Sequence, residues 1–152
     1  MRTSAITGSI WRRSIDERVL FDTNVVLDVL LDRQPDVEAS AAAWAAVETG
    51  AAEGMLAAHA VTTIHYLIGK ELGGLKARRI VSAILRVFRV AAVDGAVVEE
   101  ALQLPLSDFE DAVTAAAARA AGCECIVTRD PKGFRGSPVR SLTPEAVTPL
   151  MR

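Results

Sequence analysis

Short apolar runs alternate with longer amphipathic stretches along most of this chain, and this alternation restricts the possible folds more than any other feature. Four runs read RVLFD, GMLAA, RVAAVD and CECIVT, and a shorter one, PVRSL, follows near the carboxyl end. A run without polar alternation is typical of a strand covered on both faces. Strands separated by helices favour a parallel sheet, so the sequence predicts a three-layer α/β/α fold.

Local signals mark where the intervening helices start and stop. The helix after the second strand is expected to begin at Val61, and the pair Gly73-Gly74 should separate it from the next helix. We expect Asp94 to cap the helix that follows the third strand. We also expect Ser107 and Glu110 to form a capping box that opens the helix before the fourth strand.

The length and composition suit one globular domain. The chain has 152 residues, of which 51% are hydrophobic and 24% are charged, which is enough for a single core. Residues 18–152 are expected to form the domain. Residues 1–17 are expected to be a poorly ordered extension, because the first strand begins near Arg18. The formal net charge is -2, so nucleic-acid binding would require local basic patches.

Cysteine content and hydropathy indicate the compartment. Cys123 and Cys125 lie two apart in a predicted strand, and we do not expect them to pair. Without a disulfide framework, a reducing compartment is expected. No run reaches the roughly 18 apolar residues that span a bilayer. We therefore expect a cytoplasmic protein with no membrane partner.

Two aspartates stand where predicted strands end. Asp22 closes the first apolar run, and Asp130 follows the fourth in the sequence IVTRD. In open parallel sheets, functional groups collect beyond the carboxyl ends of the strands, where the strand order reverses. If the order is 3-2-1-4-5, the first and fourth strands are neighbours and the two carboxylates lie side by side. A carboxylate within an apolar run is costly unless it is paired or coordinated.

Three more acids lie in SDFEDA, ahead of the fourth strand. Asp108 and Asp111 are three residues apart and share a helix face. Helix capping and the helix dipole also account for Asp108 and Glu110, and a turn accounts for Asp130. Carboxylates about 4 Å apart repel by roughly 1 to 4 kcal/mol, and Mg²⁺ or Mn²⁺ would remove that repulsion. Such a site suits phosphodiester hydrolysis.

The segments VLFDTNVVLDVLL, DFEDAVTAAAARAAGCECIVTRDPKGF and VRSLTPEAV resemble those of PIN-domain proteins, which include VapC-like toxins of bacterial toxin–antitoxin pairs. The resemblance spans roughly residues 19–147. It implies a sheet of order 3-2-1-4-5, an acidic Mg²⁺ or Mn²⁺ site and endoribonuclease activity on RNA. A small antitoxin partner and a homodimer are implied by the same analogy.

The resemblance also implies roles for individual positions. The acids that match the catalytic metal ligands, with an auxiliary acid last, are Asp22, Asp111, Asp130 and Asp108. On the substrate side, Asn24 matches the polar residue of the first motif, and Thr128 matches the residue whose hydroxyl supports the site.

One position departs from the family pattern. Most such nucleases carry a glutamate on the helix after the second strand, whereas the corresponding stretch here carries His65, and Glu71 lies off that helical face. His65 is either a partly buried side chain or a contact to metal or phosphate, which would favour Mn²⁺. Gly133 also stands where a further acid is frequent in the family.

Basic residues flank the predicted acidic edge. The segment between Gly73 and Val93 carries Lys76, Arg78, Arg79, Arg86 and Arg89 with no acid, and Arg129, Lys132 and Arg135 surround the last site carboxylate. A basic helix is often only a solvated face. Basic groups beside an acidic edge also suit contact with RNA phosphates, and we expect Arg129 to contact substrate.

The sequence leaves several functions open. The first is an active metal-dependent ribonuclease that serves as a toxin. The second is a PIN-fold module that binds RNA or protein but is weakly active or inactive, because it lacks the second acid. A phosphatase of the haloacid dehalogenase type also has an aspartate after its first strand. It normally needs a second aspartate two residues later, where Asn24 stands, and this disfavours the third reading.

Overall fold

The computed structural model describes residues 18–151, and the predicted extension over residues 1–17 lies outside this range. The strands are β1 (Arg18–Phe21), β2 (Glu53–Ala57), β3 (Arg89–Ala91), β4 (Cys125–Val127) and β5 (Arg140–Leu142). The helices are α1 (Thr23–Leu30), α2 (Val37–Glu48), α3 (Ala58–Leu72), α4 (Gly74–Ile84), α5 (Gly95–Gln103), α6 (Phe109–Ala120) and α7 (Pro144–Val147). Short 3₁₀ turns cover Pro131–Phe134 and Thr148–Leu150.

The five strands form one parallel sheet in the order 3-2-1-4-5, as the sequence predicted. Strand β1 is central, and its Leu20 is in register with Met55 of β2 and Ile126 of β4. All strands therefore end on one edge, which we call the carboxyl edge, and begin on the opposite amino edge. Residues that follow β1, β2 and β4 gather at the carboxyl edge, where the chain reverses its direction across the sheet.

Alternate residues of the central strands face two different apolar clusters. Phe21 and Cys125 pack on the face covered by α1 to α4, whereas Leu20 and Ile126 pack on the face covered by α5 and α6. This period of two confirms a sheet that is buried on both sides. Cys123 packs in the second cluster and Cys125 in the first, and the two residues form no disulfide with each other.

A close approach of aromatic rings fixes the first cluster. The ring of Phe88 contacts Phe21 with centroids 5.0 Å apart and Trp44 at 5.1 Å, both edge to face. Gly54 of β2 makes this packing possible, because a Cβ there would lie 2.8 Å from Phe88 Cδ1 and 2.6 Å from Val47 Cγ1. Aromatic pairs in this geometry add stability beyond the area that they bury.

Two helix starts differ from the expectation. Helix α3 begins at Ala58, directly after β2, three residues earlier than the predicted Val61. Helix α6 is capped by Asp108, so the predicted capping box that begins at Ser107 is wrong by one residue. Asp108 has the extended backbone of a helix cap, and its Oδ1 accepts a hydrogen bond from the Asp111 N–H at 3.0 Å. Ser107 precedes the cap position, so it does not take this role.

Other boundaries agree with the prediction. Asp94 caps α5 by accepting from the Val97 N–H at 3.0 Å, and Gly73 separates α3 from α4 with a φ of +90°. Gly122 follows the end of α6 with a φ of +74°, the left-handed conformation that glycine favours after a helix. None of the described helices is long and apolar enough to cross a membrane.

Candidate functional site

Asp22 is fixed at the junction of β1 and α1. Its backbone N–H donates to the Val127 carbonyl at 2.9 Å, which joins it to the end of β4. Its Oδ1 accepts from the Thr23 N–H at 2.9 Å, and its Oδ2 accepts from the Thr128 hydroxyl at 2.9 Å. The carboxylate at the end of the first strand is thus held in one orientation by donors from both strand ends.

Thr128 links Asp22 to Asp130. The Thr128 side chain is buried, and its hydroxyl oxygen accepts from the Asp130 N–H at 3.1 Å while its proton is donated to Asp22. Asp130 then begins the 3₁₀ turn over Pro131–Phe134. The adjacency of β1 and β4 therefore brings Asp22 and Asp130 together through one threonine, as strand order 3-2-1-4-5 requires.

The first turn of α6 adds three acids to this edge. Asp108, Glu110 and Asp111 each offer a carboxylate oxygen, and these oxygens lie within 4.8 Å of one another. Asp108 and Glu110 are exposed, whereas Asp111 is half-buried. Their position at a helix amino terminus is favourable for negative charge, but the dipole does not remove the repulsion between them.

Gly133 leaves space between two of the carboxylates. A Cβ at this position would lie 3.2 Å from Asp111 Oδ2 and 3.4 Å from Asp130 Oδ2. These oxygens from α6 and from the turn after β4 therefore face the same small volume. Carboxylate oxygens converging on one space match the ligand preference of Mg²⁺ and Mn²⁺, so the residues present fit such an ion.

Burial and crowding raise the pKa values of two carboxyls. The pKa of Asp22 is raised mainly by burial, and its hydrogen bonds and the charge of Arg129 partly offset this effect. The pKa of Asp111 is raised from 3.8 to about 7, first by burial and then by neighbouring carboxylates, Asp108 and Asp22 foremost. A perturbed acid in such surroundings is typical of a functional site.

Arg129 lies at this edge, but its side chain is held by other acids. Its Nε forms an ion pair with Asp28 Oδ2 at 2.8 Å, and its Nη1 donates to Asp36 Oδ2 at 3.1 Å. The side chain is 33% exposed. A contact between Arg129 and substrate stays a prediction. Because Nε and Nη1 contact Asp28 and Asp36, Nη2 is the guanidinium nitrogen that would make it.

The other predicted substrate residues, Asn24 and His65, lie on helices α1 and α3. Asn24 is exposed in the first turn of α1, two residues after Asp22. His65 lies in the middle of α3 and lines a shallow cavity with Tyr66, Gly69 and Lys70, and also Gly74. A role for His65 at the site also stays a prediction.

A residue of α3 that contacts the acidic edge is His59, which was not predicted from the sequence. Its Nε2 lies 3.3 Å from Thr114 Oγ1 and 3.9 Å from Glu110 Oε2. Thr114 also donates its proton to the Glu110 carbonyl at 3.0 Å, so this threonine lies between His59 and the first turn of α6. The position of His59 in the sequence could have indicated this, because His59 comes just after β2, and Asp22 comes just after β1. His65 lies six residues, or about 9 Å, further along the helix axis.

Comparison with protein-family models identifies the family of this chain. A family model described as PIN domain matches residues 18–132. The chain belongs to the PIN-domain family. The match runs from β1 into the turn after Asp130, so it includes every acid of this edge. No curated protein matches the sequence.

Solved structures share this PIN fold. FitAcB from Neisseria gonorrhoeae is 23% identical with a TM-score of 0.66, over 83% of this chain and 97% of that one. VapBC2 from Rickettsia felis, bound to a DNA fragment from its promoter, is 13% identical with a TM-score of 0.64, over 83% and 98%. Mycobacterium tuberculosis VapC20, described as a sarcin–ricin loop cleaving toxin, is 20% identical with a TM-score of 0.58, over 71% and 86%.

Proposed function

We propose that this PIN-domain protein is a Mg²⁺- or Mn²⁺-dependent endoribonuclease and the toxin of a toxin–antitoxin pair. One observation carries the proposal. Acids from three separate segments gather at the carboxyl edge, and among the described residues none of its four aspartates has a lysine or arginine nitrogen within 4.0 Å. Uncompensated carboxylates at such density are expected where a cation binds.

Asp22, Asp111 and Asp130 would hold the ion, with Asp108 as an auxiliary ligand. When bound, a divalent cation supplies activation of water and neutralisation of phosphate charge. The hydroxyl of Thr128 and the N–H of Thr23 keep the Asp22 carboxylate aimed in one direction. This arrangement reduces the reorganisation that binding requires.

RNA is the proposed substrate, and helix α4 offers a surface for its phosphates. A shallow cavity of about 360 Å³ is lined by Arg78 and Arg79 of α4 and by Arg86 just after its end, together with Leu75, Ser82 and Ala83. None of these three arginines is ion-paired within the described part of the chain. Arg89 belonged to the same predicted basic segment, but it pairs with Glu53. Asn24, exposed beside Asp22, is a further candidate for a phosphate contact.

A small antitoxin and a second copy of the chain are the proposed protein partners. The similarity to FitAcB and VapBC2 supports the antitoxin. The homodimer is inferred from the PIN-domain family alone. Light scattering on the purified chain, with and without a co-expressed partner, measures both associations. We propose that the protein acts in the cytoplasm, as its cysteine content led us to expect.

A second candidate function is a PIN module that binds RNA or protein but does not cleave. One observation favours it: residues 58–70, which include the first three turns of α3, contain no aspartate or glutamate. A site with fewer carboxylates binds a hard cation less tightly. The two candidates differ in whether purified protein cleaves RNA at all.

The deciding experiment is a cleavage assay on protein freed of any co-expressed partner. A mixed-sequence RNA is incubated with the wild type, with Asp22→Asn, and with Glu99→Gln. Glu99 is an exposed residue of α5, and its substitution is the matched control. Each reaction is run with EDTA, Mg²⁺ or Mn²⁺. We expect cleavage by the wild type and by Glu99→Gln only when a divalent ion is present.

Two results would contradict the nuclease proposal. Cleavage that persists in Asp22→Asn would show that the activity lies outside this site. Absence of cleavage with every divalent ion, while RNA still binds in a filter or fluorescence assay, would favour the binding module. Substitution of Arg78, Arg79 and Arg86 by glutamine should weaken RNA binding and reduce its salt dependence.

A further inference from the structure

Asp28 is a fully buried carboxylate that lies outside the acidic edge. It sits in the second turn of α1 with 0% exposure, and its Oδ2 accepts from the Ser40 hydroxyl at 3.1 Å. Its Oδ1 has no hydrogen-bond partner among the described residues. A buried charge of this kind is expensive unless a cation pairs with it, and the cation here is Arg129, at 2.8 Å.

Arg129 is thereby anchored on two sides. Its Nε meets Asp28 on α1, and its Nη1 meets Asp36, the residue before α2. The planar guanidinium has its donors in fixed directions, so two acceptors on different segments define its orientation as well as its position. The backbone of residue 129 is consequently tied to the layer of helices that covers the first face of the sheet.

The residues on either side of Arg129 hold the acidic edge together. Thr128 donates to Asp22 Oδ2 and accepts from the Asp130 N–H, at 2.9 and 3.1 Å. A shift of the backbone at residue 129 would displace both neighbours. The anchor at Asp28 therefore bears on the placement of two of the proposed metal ligands, although Asp28 belongs to neither hydrogen bond.

We propose that Asp28 is a positioning residue that orders the site through Arg129 and the segment 128–130. The inference rests on the proposed metal site, which it deepens by naming the group that supports it. Groups that orient metal ligands without touching the metal typically change metal affinity or activity by about 10 to 100-fold when they are removed. A merely structural role for the Asp28–Arg129 pair would lower stability alone.

The test compares metal affinity with stability in three proteins. Asp28→Asn keeps the shape of the side chain and removes its charge. Ile68→Ala, in α3 and fully buried in the apolar cluster under α1 to α4, is the control because its cavity lowers stability by another route. Mn²⁺ binding is measured by electron paramagnetic resonance, and unfolding is followed in urea.

We expect the Kd for Mn²⁺ to rise about tenfold or more in Asp28→Asn and to stay within about twofold in Ile68→Ala. An unchanged Kd in Asp28→Asn would overturn the proposal, as would an equal rise in both variants. If Asp28→Asn does not fold, Arg129→Lys replaces it. Lysine retains the positive charge beside Asp28 but cannot reach Asp36 at the same time, and the same rise is expected.

A second readout separates this proposal from the function on which it rests. Amide hydrogen exchange of the metal-free protein reports the Asp130 N–H, which donates to Thr128, and the Asp22 N–H, which donates to Val127. Both should exchange faster in Asp28→Asn relative to amides of α5. If the wild type binds no Mn²⁺, the proposed function fails. Unchanged exchange at both amides would then overturn the positioning role as well.

Discussion

The two edges of the sheet use charge in opposite ways. At the amino edge, Glu53 of β2 accepts from Arg89 of β3 at 2.8 Å and from Arg18 of β1 at 2.7 Å, and these hydrogen bonds lower the pKa of Glu53. At the carboxyl edge, Asp22 and Asp111 have no such partner within the described residues. Burial and neighbouring charge raise the pKa of Asp111 to about 7.

The comparison distinguishes acids that are neutralised within the protein from acids that lack a neutralising partner among the described residues. The acid at the amino edge is satisfied by arginines on the adjacent strands, so it needs nothing from solution. The acids at the carboxyl edge repel one another, and Arg129, whose charge partly offsets the raised pKa of Asp22, is committed to Asp28 and Asp36. If the carboxyl edge carries function and the amino edge only stability, substitutions at the two edges should change different properties of the protein.

The largest effect is expected from Asp22→Asn at the carboxyl edge. The substitution removes the charge that would bind the cation, and it leaves one acceptor oxygen for the two donors of Asp22, the Thr128 hydroxyl and the Thr23 N–H. We expect RNA cleavage to fall by more than about 100-fold, which exceeds the usual loss for a group that only orients a ligand. Cleavage rate in Mn²⁺ is the measurement, and a loss below about tenfold would contradict a ligand role for Asp22.

A cation should also stabilise the fold through the same edge. At a Mn²⁺ concentration 100 times its Kd, binding to the native state alone adds about 2.7 kcal/mol to the free energy of unfolding. Urea unfolding with Mn²⁺ or EDTA measures this gain. The gain should vanish in Asp111→Asn. Persistence of the full gain in that variant would place the bound ion elsewhere.

The carboxyl edge could be predicted from the sequence better than the amino edge. The strand order and the convergence of Asp22, Asp111 and Asp130 follow from apolar runs, parallel topology and acids placed at strand ends. His59 was missed because the helix was expected to start at Val61, and no capping side chain marks its true start at Ala58. Helix boundaries with no polar cap leave little local signal.

Gly133→Ala tests the space between two of the acids. The new Cβ would lie 3.2 Å from Asp111 Oδ2 and 3.4 Å from Asp130 Oδ2, so the methyl group would compete with the cation for that volume. We expect the Kd for Mn²⁺ to rise about tenfold, equivalent to about 1.4 kcal/mol.

The matched control for this test is Gly69→Ala in α3. A Cβ there would make only an ordinary contact, 3.9 Å from Ala77. Its Mn²⁺ affinity should equal that of the wild type. Unchanged affinity in Gly133→Ala would show that the ion does not occupy the space beside this glycine.

The raised pKa of Asp111 gives the metal-free protein a pH dependence of definite sign. The folded state binds a proton up to about pH 7, whereas the unfolded state releases it near 3.8. The native state therefore holds more protons between these values, and the contribution of Asp111 to stability declines as pH rises through this window. Relative to Asp111→Asn, the wild type should lose stability from pH 4 to 7 and change little above it. A difference that is constant with pH would contradict this prediction.

Partner choice across the sheet was not readable from the sequence in the same way. Arg89 and Arg129 both lie in segments with a basic character, yet each is committed to acids far away in sequence, Glu53 in one case and Asp28 in the other. Such pairings depend on the register of strands and on side-chain directions. A local pattern of charge specifies neither of them. It therefore did not distinguish these two arginines from Arg78 and Arg79 on α4, which form no ion pair among the described residues.

The smallest effect is expected from Glu53→Gln at the amino edge, and its pH dependence should have the opposite sign. Exposed ion pairs contribute about 0 to 1 kcal/mol, so unfolding in urea should show a loss within that range, with RNA cleavage and Mn²⁺ affinity unchanged. Because pairing lowers the pKa of Glu53 below its ordinary value of 4.5, its contribution is present above that pH and is lost as the carboxylate is protonated in acid. The difference between wild type and Glu53→Gln should therefore shrink as pH falls below 4.5, whereas the contribution of Asp111 declines as pH rises. A loss of cleavage in Glu53→Gln comparable to that in Asp22→Asn would show that the two edges are coupled, and the division between stabilising and functional charge would not hold.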